Sequence, residues 1–100
     1  MTASEAARVQ TRLDLLSAVA DPVRWGVLRH LGQRGELCVC DLQERIPVAS
    51  NLLSYHLKVL REAGLVTTRR RGRWVDYSLA ESAADRLLEA LPITPEGRRS

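Results

Sequence analysis

Apolar residues recur every three or four positions over the first part of the chain. Val9, Leu13, Leu16 and Ala20 form one stripe, which predicts a helix over residues 5–19. Asp21-Pro22 predicts the start of a second helix: Asp21 caps it, and Pro22 occupies the first turn, where its missing N–H costs nothing. This helix is expected to run to about Leu31, ended by Gly32 and Gly35. A short third helix is predicted from Val39 to Arg45, and Ile46-Pro47-Val48 breaks the chain after it. Ser50 is the expected cap of a fourth helix, Asn51 to Ala63, which Gly64 ends. Its wheel turns Leu53, Leu57 and Leu60 inward, with Asn51, Ser54, Tyr55, Lys58 and Glu62 opposite.

The period then changes to two. Leu65 to Arg71 and Arg73 to Leu79 read as strands around Gly72, and Val75, Tyr77 and Leu79 alternate with Trp74, Asp76 and Ser78 as in a half-buried strand. A last helix is predicted from Glu81 to Leu91, with Ala84, Leu87, Leu88 and Leu91 on one side. The order is four helices, two strands, one helix. The expected fold class is mainly α with a two-stranded β-wing, a winged helix-turn-helix, in one domain over residues 1–91. Residues 92–100, PITPEGRRS, are expected to form a disordered tail. No repeat, linker or second domain is visible.

Composition narrows this picture. One hundred residues hold one small core, and with no Phe that core must be filled by Leu, Val, Ala and two Trp. A core this thin gains from dimerisation. No stretch approaches a membrane span, and the N-terminus lacks a signal-peptide pattern, so a cytoplasmic protein is expected. In that compartment Cys38 and Cys40 stay reduced. Two residues apart, they are not expected to form an unstrained disulfide. Metal binding and simple burial are the readings left for them.

The net charge of +3 says little; its distribution says more. Arg69, Arg70, Arg71 and Arg73 crowd the hairpin tip, with Asp76 the only acid near them in sequence. A polar helix face beside a cationic hairpin suits double-stranded DNA: the helix enters the major groove and the wing lies on neighbouring phosphates. Ser50, Asn51, Ser54, Tyr55 and Lys58 are the candidate contacts on the helix. Asn can pair with adenine, Ser can donate or accept, and Lys neutralises phosphate. His56, at the edge of the buried face, is a structural or phosphate-contacting candidate rather than a metal ligand. Strand alternation stops all four arginines from pointing one way, so two on DNA is the expected count. His30, near the end of the second helix, reads as a surface residue.

With these residues in view, the chain resembles the ArsR/SmtB family of winged-helix metalloregulatory repressors. The resemblance rests on AVADPVRWGVLRHL (Ala18–Leu31), ELCVCDL (Glu36–Leu42) and SYHLKVLREAGLVTTRRRGRWVDYSL (Ser54–Leu79). It implies a homodimer joined by the first and last helices. It also implies that the apo protein binds operator DNA and that an inducer ion releases it.

Within that frame Cys38 and Cys40 are the candidate metal ligands. Side chains at i and i+2 diverge on a regular helix, but Cys38 falls where an N-cap belongs, and the non-helical backbone there can bring the sulfurs together. A helix N-terminus favours thiolate, and thiolate favours a soft or borderline ion. Arsenite, antimonite and cadmium are therefore the expected inducers, with nickel and zinc disfavoured. Arsenic sensors of the family carry a third cysteine one helical turn after the second; here Gln43 stands there. Cadmium and lead sensors add cysteines from the N-terminal arm, and residues 1–13 contain none. A third ligand would be Asp41, a histidine, water or a group of the other subunit. The last helix offers Glu81, Asp85 and Glu89 but no histidine, a poor zinc site.

Other readings stay open. The chain could be a family member with no direct metal response at the cysteines, governed by a non-thiolate metal such as nickel or through a partner protein. A thiol redox protein is remote, because the spacing is CxC rather than CxxC and no catalytic base, nucleophile elbow or phosphate loop accompanies it; no enzyme is expected. A purely structural interaction domain leaves the arginine tip without a use.

Overall fold

The computed structural model describes residues 1–93. Thr2 opens α1 (Ala3–Val19) with a capping box: its hydroxyl accepts the Glu5 N–H at 3.2 Å, and the Glu5 carboxylate accepts the Thr2 N–H at 3.0 Å. The helix therefore starts two residues before its apolar stripe suggested. Asp21 starts α2 (Pro22–Arg34) as expected, accepting the N–H groups of Val23 and Arg24 at 2.8 and 3.0 Å. Gly32 does not end this helix. One glycine costs a helix about 1 kcal/mol against alanine, too little to stop it. The stop is Gly35, at φ +88°, whose N–H closes on the Leu31 carbonyl.

The next three residues form β1 (Glu36–Cys38), an element the sequence reading lacked. Its last residue, Cys38, caps α3 (Val39–Arg45). The fourth helix, α4 (Ser50–Glu62), has Ala49 at its cap position with no side-chain cap bond. Ser50 is thus the first helical residue, not the cap. The hairpin consists of β2 (Val66–Arg71) and β3 (Trp74–Leu79), and α5 (Ala83–Ala90) follows. Gly72, at φ +58°, takes the first place of the two-residue turn, as a glycine-first hairpin turn requires.

The sheet has three antiparallel strands in the order β1-β3-β2. The two expected wing strands are β2 and β3; a third strand, β1, joins them on the β3 side and enters α3 directly. Val27 and Leu31 of α2, Leu42 of α3, and Leu53, Leu57 and Leu60 of α4 are fully buried, with Leu65 beside them. The predicted inward face of α4 is therefore the core face, and leucine supplies most of the volume that Phe would otherwise fill.

β3 departs from the predicted alternation. Leu79 is exposed, while Asp76, expected on the solvent side, is only 4% exposed. Two arginines of β2 close over its carboxylate, the condition under which a charge can be buried.

α1 packs against α5. Leu13 is 51% exposed and Leu88 46%, with Val9, Ala84 and Leu91 also exposed and Leu87 half-buried. The apolar stripes of the two terminal helices are thus largely uncovered in the single chain. Among the described residues no helix is long and apolar enough to cross a membrane. Of the expected disordered tail, residues 94–100 lie outside the described residues.

Candidate nucleic-acid interface and its neighbouring thiol pair

Ser50, Asn51, Ser54, Tyr55 and Lys58 are all exposed on the face of α4 away from Leu53, Leu57 and Leu60. Among the described residues none of the five side chains makes an intramolecular hydrogen bond, so their donors and acceptors face outward. The Tyr55 ring meets the His56 ring edge-on, with centroids 5.1 Å apart.

His56 lies elsewhere. It is 6% exposed, and its Nδ1 sits 2.8 Å from Nη1 of Arg24 and 3.7 Å from the Asp21 carboxylate. A guanidinium can only donate, so this hydrogen bond assigns Nδ1 as acceptor and places the ring hydrogen on Nε2. Of the two roles expected for His56, the structural one matches this placement; a phosphate contact would need the ring on the outer face.

Arg24 was missed from sequence. It donates through Nε to the Ala18 carbonyl at 2.7 Å and through Nη2 to Ser17 at 3.4 Å, besides meeting His56. One side chain thus ties the end of α1 and the start of α2 to α4. At the C-terminal end of α4, Arg86 of α5 donates to the carbonyls of Gly64 and Ala63 at 2.8 and 3.1 Å. These are the orphan acceptors that a helix C-terminus leaves open. Gln43 Nε2 donates to the carbonyls of Val48 and Ile46, holding the turn between α3 and α4. The outer face of α4 is therefore carried on a helix fixed at both ends.

The wing arginines divide into two kinds. Arg71 grips Asp76 with two hydrogen bonds, at 2.5 and 3.2 Å. Arg69 grips Glu36 of β1 with two, at 3.1 and 2.6 Å, and lies 3.9 Å from Asp76. Glu36 is thus a second acid at the wing, in addition to Asp76; it comes from a strand distant in sequence. The Arg71 hydrogen bonds hold Asp76 below the ordinary carboxylate range, and the Arg69 hydrogen bonds do the same to Glu36. Arg70 reaches only the Gly72 carbonyl, at 3.3 Å, and Arg73 has no side-chain partner among the described residues. The uncompensated charge at the hairpin tip is Arg70 and Arg73. This pair is the natural choice for the two arginines expected on DNA.

The thiols occupy the junction of β1 and α3. Cys38 has extended backbone angles, φ −76° and ψ 165°, and its sulfur accepts the Asp41 N–H at 3.3 Å as the helix cap. Cys40 sits in the first turn. The structure joins the two as a disulfide, with Cα atoms 5.3 Å apart. The expectation was of two reduced cysteines unable to form an unstrained disulfide; the structure has them bonded. The distance lies inside the usual disulfide range of about 4.4–6.8 Å, because the cap residue is not yet helical and its side chain folds over the first turn.

The Asp41 carboxylate lies in the same group. One ligand atom each from Cys38, Cys40 and Asp41 falls within 4.8 Å of the others, and among the described residues no other cluster of three such ligands is found. Neither His30 nor His56 belongs to it. Gln43, where a third sulfur would stand, is committed to the turn. When reduced, the donor set is two soft sulfurs and one hard oxygen, which fits a thiophilic ion.

The profile of a helix-turn-helix domain family matches residues 19–69. The chain is similar to the arsenical resistance operon repressor of Bacillus subtilis, 44% identical over 71 residues that cover 71% of this chain and 68% of that protein. It is similar to the transcriptional repressor SmtB homolog of Synechocystis, 43% identical over 75% of this chain and 56% of that protein. Among solved structures, NolR from Sinorhizobium fredii superposes with a TM-score of 0.78 at 29% identity, covering 90% of this chain and 89% of that one. With its helix-turn-helix matched and with relatives at 43% and 44% identity, the chain belongs to the ArsR/SmtB family of winged-helix DNA-binding transcriptional repressors.

Proposed function

We propose that two copies of this chain bind an operator together and that a thiophilic ion, held at Cys38, Cys40 and Asp41, releases them. The observation that carries the switch is the meeting of two sulfurs and a carboxylate at the cap of α3, the first helix of the helix-turn-helix. The Bacillus subtilis relative named for arsenical resistance supports an arsenic-type inducer.

On DNA, α4 enters the major groove and offers Asn51 and Ser54 to base edges. Ser50, Tyr55 and Lys58 lie against the backbone, and Arg70 and Arg73 neutralise phosphates beside the groove. Arg24 on His56 at the middle of α4, and Arg86 at its C-terminal end, hold the helix at a fixed angle. The exposed stripes of α1 and α5 close the dimer, and a two-fold protein calls for two half-sites.

Cys38 and Cys40 hold the inducer through sulfur and Asp41 through oxygen. Cys38 is then no longer free to serve as the cap of α3. Movement of α3 reaches α4 through Gln43, which spans the turn. The ion acts only through its difference in affinity between the free and DNA-bound states.

The test begins with duplexes selected from a random pool by the reduced protein. Fluorescence anisotropy on the selected duplex is then followed as arsenite, cadmium, nickel or magnesium is added. Release by arsenite or cadmium is expected, with no response to magnesium. Binding that ignores every ion would reduce the chain to a repressor without a metal input at these cysteines. Release by nickel alone would move the site away from the thiols.

A further inference from the structure

We propose that Cys38 and Cys40 are also an oxidant-sensitive pair, and that their disulfide leaves the protein on DNA but deaf to the ion. The second half of this rests on the reading of the pair as the ion's ligands.

The geometry is prepared for closure. The structure holds the pair closed with its Cα atoms 5.3 Å apart, inside the range a disulfide needs, so the fold accommodates the bond. The two sulfurs differ in access. Cys40 is exposed, whereas Cys38 is 8% exposed and its sulfur is held over the first turn by the Asp41 N–H. A small oxidant therefore meets Cys40 first, with Cys38 beside it to resolve the product. The sequence contains no third cysteine to compete for either.

With a hydroperoxide as oxidant the chemistry balances in two steps. The Cys40 thiolate attacks one peroxide oxygen; the O–O bond breaks, an S–O bond forms, and hydroxide leaves from a hydrogen peroxide molecule, giving a sulfenic acid. The Cys38 thiol then attacks that sulfur; the S–S bond forms, the S–O bond breaks, and the departing oxygen leaves as water with the thiol proton. Peroxide is reduced by two electrons and the two thiols are oxidised.

The consequence for the ion follows from the donors. Sulfur in a disulfide has no thiolate charge to give, so both soft ligands vanish together and only Asp41 remains. The consequence for DNA follows from the fold. With the disulfide present, α3 stays capped, Gln43 spans the turn, and α4 keeps its outer face free. Oxidation should therefore not eject the protein from DNA; it should remove the means of ejecting it.

The experiment uses the full chain, reduced and then treated with hydrogen peroxide. Thiol titration and intact mass follow the cysteines, ultraviolet thiolate absorption follows arsenite binding, and anisotropy follows a duplex selected by the reduced protein. Both thiols should disappear together without cross-linked dimer, and dithiothreitol should restore them. Oxidised protein should keep its DNA affinity, bind no arsenite and ignore it on DNA. The Cys40→Ser variant should lose the intramolecular product, and its remaining thiol should yield at most a disulfide between chains. In the parent, surviving thiols, or a disulfide only between chains, would overturn the proposal. So would loss of DNA binding on oxidation. If reduced protein also binds no arsenite, the ligand reading itself falls and the exclusion with it, while the thiol titration still decides whether the pair closes.

Discussion

Cys38 stands directly opposite Asp76 in the ladder between β1 and β3. The first is the cap of α3 and one of the two thiols; the second is the buried carboxylate that Arg71 grips and Arg69 approaches. The root of the wing and the start of the helix-turn-helix therefore share one backbone pairing. A change at Cys38 is placed to reach the arginine-tipped hairpin as well as the helix-turn-helix.

In the proposed complex Asp76 sets how much of the wing's charge is offered to DNA. Asp76→Asn keeps the shape and removes the charge that engages Arg71. Affinity for random DNA should rise, and the plot of log affinity against log salt should steepen by about one unit if one arginine is freed for a phosphate. An unchanged slope would mean that Arg71 stays folded against the sheet without the ion pair.

Arg70 and Arg73 carry the free charge. Replacing both with Ala should weaken operator and random DNA by similar factors and flatten the salt plot by about two units. Replacing Arg69 and Arg71 should change the slope less, because acids already engage them. A loss confined to the operator would show that the tip reads bases.

Sequence discrimination is placed on α4. Asn51→Ala or Ser54→Ala should cost about 1–3 kcal/mol on the operator and leave random DNA nearly unaffected. Operator affinity unchanged in both variants would put recognition on other residues.

Acid should loosen the fold through its caps and ion pairs. The Arg24 N–H, more than any other group, holds Asp21 below its ordinary range; Arg71 does this for Asp76, Arg69 for Glu36. Carboxylates depressed in the folded state contribute stability that is fully present above their unfolded values, about 3.9 for Asp and 4.3 for Glu. That stability is lost as pH falls through the depressed folded values. Urea midpoints should hold between about pH 7 and pH 5 and fall below about pH 4. Asp76→Asn should show a shallower fall than the parent, and a parallel one would remove Asp76 from the account.

Much of the fold was legible because it is local. The α3 boundaries, the Leu53/Leu57/Leu60 face and the Asp21-Pro22 start all follow from spacings within one or two turns. So did the place of Cys38 at the cap of α3, although which group would join the two sulfurs stayed open. What escaped was non-local. β1 is three residues long, too short to show a period, and without it neither Glu36 as a partner of Arg69 nor the covering of Asp76 can be foreseen. The Arg24–His56 bond spans 32 residues and leaves no trace in either neighbourhood. The disulfide was rejected by a rule for regular backbone, although the same cap geometry that suggested a chelate also permits a bond.

The central claim is that the thiol pair and the DNA surface are energetically coupled. The most direct measurement is reciprocal. Arsenite affinity is taken from thiolate absorption with and without saturating operator, and operator affinity from anisotropy with and without saturating arsenite. Both are measured for the reduced parent and for the Cys38→Ser/Cys40→Ser double variant. The account predicts that each ligand weakens the other by one common factor in the parent, as linkage requires, and that the double variant binds operator normally and ignores arsenite. A double variant released by arsenite as readily as the parent would contradict it.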